Sequence, residues 1–171
     1  MDQLRNKINE KEFDNEFSKK LLDSEGIFNE IYSACGNKME TGSTGNFGLG
    51  SILIGADKYE YSISMYPKQK LLYEKTKNIN SLLEIGTYMG HSLLIMLLAN
   101  PKINVTCIDI DDTYSARATK YLQSVFTYSK INFIKGNSLK VLPKISEKFD
   151  FFHVDGAHGN TTITQEFAHC R

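Results

Sequence analysis

The segment Leu82-Leu83-Glu84-Ile85-Gly86-Thr87-Tyr88-Met89-Gly90-His91-Ser92 holds the residues best placed to do chemistry. A short apolar run carries an acid, meets a turn bracketed by two glycines, and continues into the apolar stretch Leu93 to Ala99. That order reads as a buried strand, a tight loop and a buried helix, the ligand-facing corner of an α/β fold. A loop that brings backbone N–H groups against a ligand has no room for a Cβ, which is the use of glycine there. The spacing Gly86-x-x-x-Gly90 is not the Gly-x-Gly-x-x-Gly of a dinucleotide site. Glu84 argues the same way, because a pyrophosphate seeks a bare helix N-terminus and a carboxylate beside it repels. A ligand with an ammonium or sulfonium centre is not repelled. The corner favours S-adenosylmethionine over NAD.

Further polar residues fall where the ends of later strands are expected, and ligands of open α/β sheets bind at those ends. Tyr88 and Ser92 flank the first loop and offer hydroxyls to a methionine carboxylate; Ser92 reads equally as a helix-start cap. Asp109 closes the second strand, where a carboxylate can accept both hydroxyls of a ribose. With Asp111 and Asp112 following, it also reads as a turn acid or helix cap. Asn137 and Ser138 follow the third strand, in reach of an adenine edge, and Asp155-Gly156-Ala157-His158 follows the fourth.

The elements that must position these residues alternate. Strands are expected at 82–85, 104–110, 131–135 and 149–155, with helices at 91–98 and 114–126 and a short one around Leu139. Apolar strands separated by helices predict a parallel sheet covered on both faces, a Rossmann-like α/β fold. Residues 1 to about 34 look helical, with Phe13, Phe17, Leu21 and Leu22 at helix spacing. After Pro67 a helix over 68–77 is expected to bury Leu71 and Leu72. Thr162-Ile163-Thr164-Gln165 reads as a capping box opening a terminal helix. Six glycines between Gly36 and Gly55, among Ser, Thr and Asn, read as a linker or as a lid over a ligand. The division expected is 1–57, a helical segment with that linker, and 58–171, a partial cofactor-binding domain. The chain ends at Arg171 inside what reads as a crossover helix, which leaves 149–155 as an edge strand. Either the chain is a fragment or a partner, such as a second copy, covers that edge.

Composition narrows the function classes. Twenty basic residues balance twenty acidic ones without a long run of either sign, which argues against a general grip on nucleic acid or an anionic membrane. The longest apolar stretch is far too short to span a bilayer, and Met1 to Glu12 lacks a signal-peptide core. Cys35, Cys107 and Cys170 are odd in number and widely spaced, so neither a disulfide framework nor a metal cluster follows. A reducing cytoplasm is the expected location.

The motifs Glu84-Ile85-Gly86-Thr87-Tyr88-Met89-Gly90-His91-Ser92, Cys107-Ile108-Asp109-Ile110, Lys135-Gly136-Asn137-Ser138 and Val154-Asp155-Gly156-Ala157-His158 together resemble class I S-adenosylmethionine-dependent methyltransferases. The branch they look like is the small O-methyltransferases related to catechol O-methyltransferase, over about 66–170. The resemblance implies Gly86, Tyr88 and Ser92 around the methionine part, Asp109 on the ribose and Ser138 near the adenine. It implies that Ser64-Met65-Tyr66-Pro67-Lys68-Gln69 covers the cofactor and borders a small-molecule methyl acceptor. In the metal-dependent branch the acid at Asp155 ligates Mg²⁺, and a lysine three positions on is the base. Here that position is His158, which can serve as a base near neutral pH. The branch's remaining ligands follow a further strand that the chain does not contain, and a lone carboxylate holds Mg²⁺ weakly. His153 reads as a packed histidine. Two rivals stand beside the enzyme: a non-catalytic remnant that binds a cofactor or partner, and a nucleotide-dependent oxidoreductase.

Overall fold

The computed structural model describes residues 1–36, 61–157 and 159–170. Most of the glycine-rich stretch, and with it the linker-or-lid reading, lies outside the described residues, as does His158. Four parallel strands, β1 (Ser81–Ile85), β2 (Asn104–Asp109), β3 (Lys130–Lys135) and β4 (Phe151–Val154), form one sheet in the order β3-β2-β1-β4. The central strand β1 is buried from Leu82 to Ile85, as a strand packed on both faces must be. β4 is only half-buried, because among the described residues it pairs on one side alone.

Strand alternation sorts the side chains into two layers. Leu82, Val105 and Cys107 face one side and join the larger apolar cluster. That side carries the helices α1 (Asp2–Lys7), α2 (Glu16–Asp23), α3 (Glu25–Ala34), α4 (Tyr66–Thr76), α5 (His91–Ala99) and α6 (Ser115–Val125). Leu83, Ile85 and Ile108 face the other side, against Leu142, Val141 and Cys170 from α7 (Ser138–Val141), α8 (Asn160–His169) and the turns beside them. Helices cover both faces, as the alternation predicts.

The N-terminal region is helical, as expected, and broken into three helices: Asn15 caps α2, its side chain accepting from Ser18 N–H, and Ser24 ends α2 and begins α3. Other local expectations are corrected. Leu72 is buried, but Leu71 is 60% exposed. The stripe that α4 buries is Tyr66, Gln69, Leu72, Tyr73 and Thr76, and residue 71 falls off that face. The capping box at Thr162 does not form. α8 starts two residues earlier, after Gly159, and Thr164 Oγ bonds back to the Asn160 carbonyl at 2.8 Å inside the helix.

Tyrosine hydroxyls tie α4 to the N-terminal helices within this apolar layer. Tyr66 Oη meets Ser18 Oγ at 2.5 Å and accepts from Asn15 Nδ2 at 2.8 Å. Tyr73 Oη donates to Glu16 at 2.9 Å. A buried hydroxyl needs such a partner, so these bonds hold the register of α4 on the helices beneath it.

His91, the first residue of α5, is 4% exposed and packs its ring 5.8 Å from that of Phe28. Burial pushes its pKa down to about 4. An unfolded histidine titrates near 6.5, so between these values the unfolded chain binds the extra proton. Stability contributed by neutral His91 is therefore complete above about pH 6.5 and falls as the pH drops towards 4, by about 3 kcal/mol in all. Urea unfolding at pH 7 and pH 4.5 should show this loss, and His91→Leu should reduce it.

Candidate functional site

The sheet order reverses at β1: the chain steps outward to β2 and β3, then returns to the other side of β1 as β4. The crevice at such a reversal lies at the carboxyl ends of the two strands, where Gly86 and Asp155 stand. The strands meet closely there. Asp155 N–H donates to the Ile85 carbonyl at 2.8 Å and Gly86 N–H to that of Ile108 at 2.9 Å. Gly86 has φ +84°, and a Cβ on it would lie 2.5 Å from the Asp155 carbonyl oxygen and from Gly156 Cα. Only glycine permits both that backbone angle and that approach.

The loop after Gly86 is held by Asp109. Its Oδ2 accepts from Thr87 N–H at 3.0 Å and Tyr88 N–H at 2.8 Å, and Oδ1 accepts from Asp111 N–H at 3.1 Å. Both readings of Asp109 bear on this: the carboxylate is a turn acid locally, and it stands at the end of β2 facing the loop. Tyr88 has φ +47°, a left-handed angle rare for an aromatic residue. Its ring packs edge-on against Tyr114 at 5.4 Å. Gly90, at φ +74°, is the N-cap of α5, and no side chain caps that helix; Ser92 lies inside its first turn and is not its cap. Asp111 accepts from Thr113 Oγ and N–H, which holds its carboxyl below the usual carboxylate range.

At the end of β3, the Asn137 side-chain oxygen accepts from Leu139 N–H and caps α7, so that oxygen is occupied locally. Ser138 Oγ donates to Glu166 Oε1. Glu166, on α8, is 1% exposed, and its Oε2 has no hydrogen-bond partner among the described residues. Nothing in the sequence singles out Glu166; only the packing of α8 brings it to Ser138.

Glu84 sits beneath the loop, inside the sheet. It is fully buried, with His153 Nδ1 3.3 Å from Oε1 and Cys107 Sγ 3.7 Å from Oε2. The three residues lie in register across β2, β1 and β4 on one face. Burial, and the Glu84 carboxylate beside it, push the Cys107 thiol well up, so it remains a donor. His153 is thus packed, as its place within the strand suggests. Asp155 forms an ion pair with Lys68 of α4, Nζ to Oδ2 3.1 Å. Lys68 falls in the segment expected to border an acceptor, but the sequence names no partner for it.

Two substitutions test this corner. Gly86→Ala should cost about 2–4 kcal/mol, from backbone strain and overpacking together. Asp109→Ala, which leaves two loop N–H groups without their charged acceptor, should cost about 2–3 kcal/mol. Urea unfolding measures both.

Known proteins resemble this chain in sequence and in fold. A family model described as O-methyltransferase matches residues 69–163, more than half of the chain. A putative caffeoyl-CoA O-methyltransferase of Arabidopsis thaliana is 34% identical over 85 residues, 47% of this chain and 37% of that protein. Tapetum-specific methyltransferase 1 of the same plant is 30% identical over 91 residues, 50% of this chain and 39% of that one. The chain thus spans well under half the length of these relatives. Among solved structures, cofactor-bound Rv0187 from MTB superposes with a TM-score of 0.60 at 19% identity, over 92% of this chain and 69% of that one. TomG from Streptomyces achromogenes, in complex with SAM, gives 0.52 at 20% identity, over 90% and 67%. These likenesses show the fold, a Rossmann-like methyltransferase sheet. With the match over residues 69–163, the chain belongs to the O-methyltransferase family.

Proposed function

We propose that this chain binds S-adenosylmethionine at the Gly86 corner and serves transfer of its methyl group to a hydroxyl of a small molecule. One observation carries the reading: the glycine loop is pressed against the end of β4 at the reversal of the sheet and held open by Asp109. Gly86 and Gly156 meet there without side chains of their own, so a ligand's methionine part can approach the backbone, with Tyr88, Gly90 and Ser92 around it. Glu84 stands behind the loop, bonded to His153 and Cys107. Asp109 Oδ1, with one bond at 3.1 Å, keeps acceptor capacity for ribose hydroxyls. Ile110, 68% exposed beside it, offers an apolar surface to the adenine, and Asn137 and Ser138 offer polar atoms to its edge.

In the transfer, the acceptor hydroxyl gives its proton to a base and its oxygen attacks the methyl carbon. S-adenosylmethionine held there would supply the electrophilic methyl, its carbon–sulfur bond breaking as the new bond forms and its sulfonium leaving as a neutral thioether. The protein's contribution is alignment and the exclusion of water. His158 is the proposed base and lies outside the described residues. Mg²⁺ is a poor match for the residues described. Asp155, its expected ligand, is already paired with the Lys68 ammonium. Among the described residues, no group of three His, Cys, Asp or Glu side chains is gathered to hold a metal. No step is assigned to it. A cytoplasmic location accords with the free thiols of Cys35, Cys107 and Cys170. Among the described residues, no helix is long and apolar enough to cross a membrane.

Thermal unfolding with S-adenosylhomocysteine and, separately, NAD tests the reading. At a hundredfold over its dissociation constant, the homocysteine ligand should stabilise by about 2.7 kcal/mol. That raises the midpoint by about 5–10 °C for a domain of this size. A shift with NAD alone would point to the oxidoreductase, and a cooperative transition unmoved by either would overturn the cofactor assignment.

A further inference from the structure

We infer that the Lys68 ammonium holds, at Asp155, the place a divalent cation would take, so the acceptor end of the site carries a positive charge of the chain's own. The acceptor's part in this rests on the proposed methyl transfer; the ion pair stands on geometry.

Both partners are fixed from behind. Lys68 lies in the first turn of α4, directly after Pro67, which sets the start of that helix. Two residues earlier, Tyr66 is 1% exposed and bonded to Ser18 and Asn15, so this turn is anchored on α2. Asp155 is tied to β1 through its N–H on Ile85, and its carbonyl is pressed against Gly86. The two side chains bridge the crevice at 3.1 Å, with exposures of 51% and 28%. An exposed pair of this kind adds little to stability. Its consequence is the placement of charge.

Mg²⁺ seeks near-octahedral oxygen ligation and one or two carboxylates. At this carboxylate it would have to displace a cation already bonded to the oxygen it needs. Lysine has three donors, and one serves Asp155. The others remain for an acceptor oxygen, whose negative charge grows as it attacks. A fixed ammonium at that point stabilises the charge without a metal.

The test is a titration of the ¹⁵N-labelled chain with Mn²⁺ up to about 1 mM, the weak end of carboxylate cation sites, read at the Gly86 and Gly156 amides. Wild type, Lys68→Met and Asp155→Asn are compared, each with and without S-adenosylhomocysteine. Wild-type signals should keep their intensity. Lys68→Met should lose them by about 0.1 mM Mn²⁺, a tenth of the concentration that wild type withstands, and Asp155→Asn should keep them throughout. Lys68→Met should melt within about 2 °C of wild type; if it does not fold, Lys68→Gln replaces it. Strong broadening of wild type at micromolar Mn²⁺, absent in Asp155→Asn, would overturn the inference by making Asp155 a metal ligand. Identical behaviour of wild type and the Lys68 variant would overturn it too. Amide shifts on adding S-adenosylhomocysteine report separately on the cofactor; their absence would sink the methyltransferase reading while the Mn²⁺ comparison still decides on Lys68.

Discussion

Two backbone N–H groups, those of Thr87 and Tyr88, converge on one oxygen of Asp109, and the rest of the site depends on that convergence. The loop leaves β1 through a left-handed glycine, and Tyr88 continues in a left-handed angle that an aromatic residue does not adopt unaided. A charged acceptor makes the stronger kind of hydrogen bond, and two such bonds on one carboxylate can offset the strain. Because Asp109 ends β2 while the loop ends β1, the bonds also tie neighbouring strand ends together. The corner is thus shaped by the chain's own hydrogen bonds, the condition under which a ligand would bind without a further ordering cost.

Behind this corner the apolar layer does the positioning. α5 presents Leu93 to Leu97 fully buried, and its N-terminus carries Gly90 against α6, where a Cβ would lie 3.2 Å from Ala118 and Leu122. α4 is placed by tyrosine hydroxyls on α2, so a feature near the N-terminus of the chain determines where Lys68 stands. The site is assembled from distant parts of the sequence, and the short parallel strands fix their separation.

Much of this was legible in the sequence, and the reason is geometric. A parallel strand directs its last residue to one rim of the sheet, so acids and glycines at strand ends identify the rim without knowledge of the packing. Gly86, Asp109, Ser138 and Asp155 were readable for that reason. What was not readable depends on how elements meet. Leu71 is apolar but lies off the face that α4 buries, and a short window could not separate it from Leu72. Glu166 reaches Ser138 only through the packing of α8 on α7, and Lys68 reaches Asp155 only once α4 is seated. The pairing of Glu84 with His153 needs strand register, which apolar patterning alone does not supply.

That last pairing bears on how the strand finds its place. β4 is short and rich in phenylalanine, and such a segment could slide along β1 at little apolar cost. Glu84 removes that freedom. A shift by one residue would turn Phe152 or Val154 towards the carboxylate and swing His153 to the opposite layer. The acid would then stand in the sheet interior without its imidazole partner, a loss of about 1–3 kcal/mol for a buried polar group left unsatisfied. One polar contact thus acts as a registration pin for an otherwise greasy strand, and Asp155 arrives at the rim because His153 is matched to Glu84.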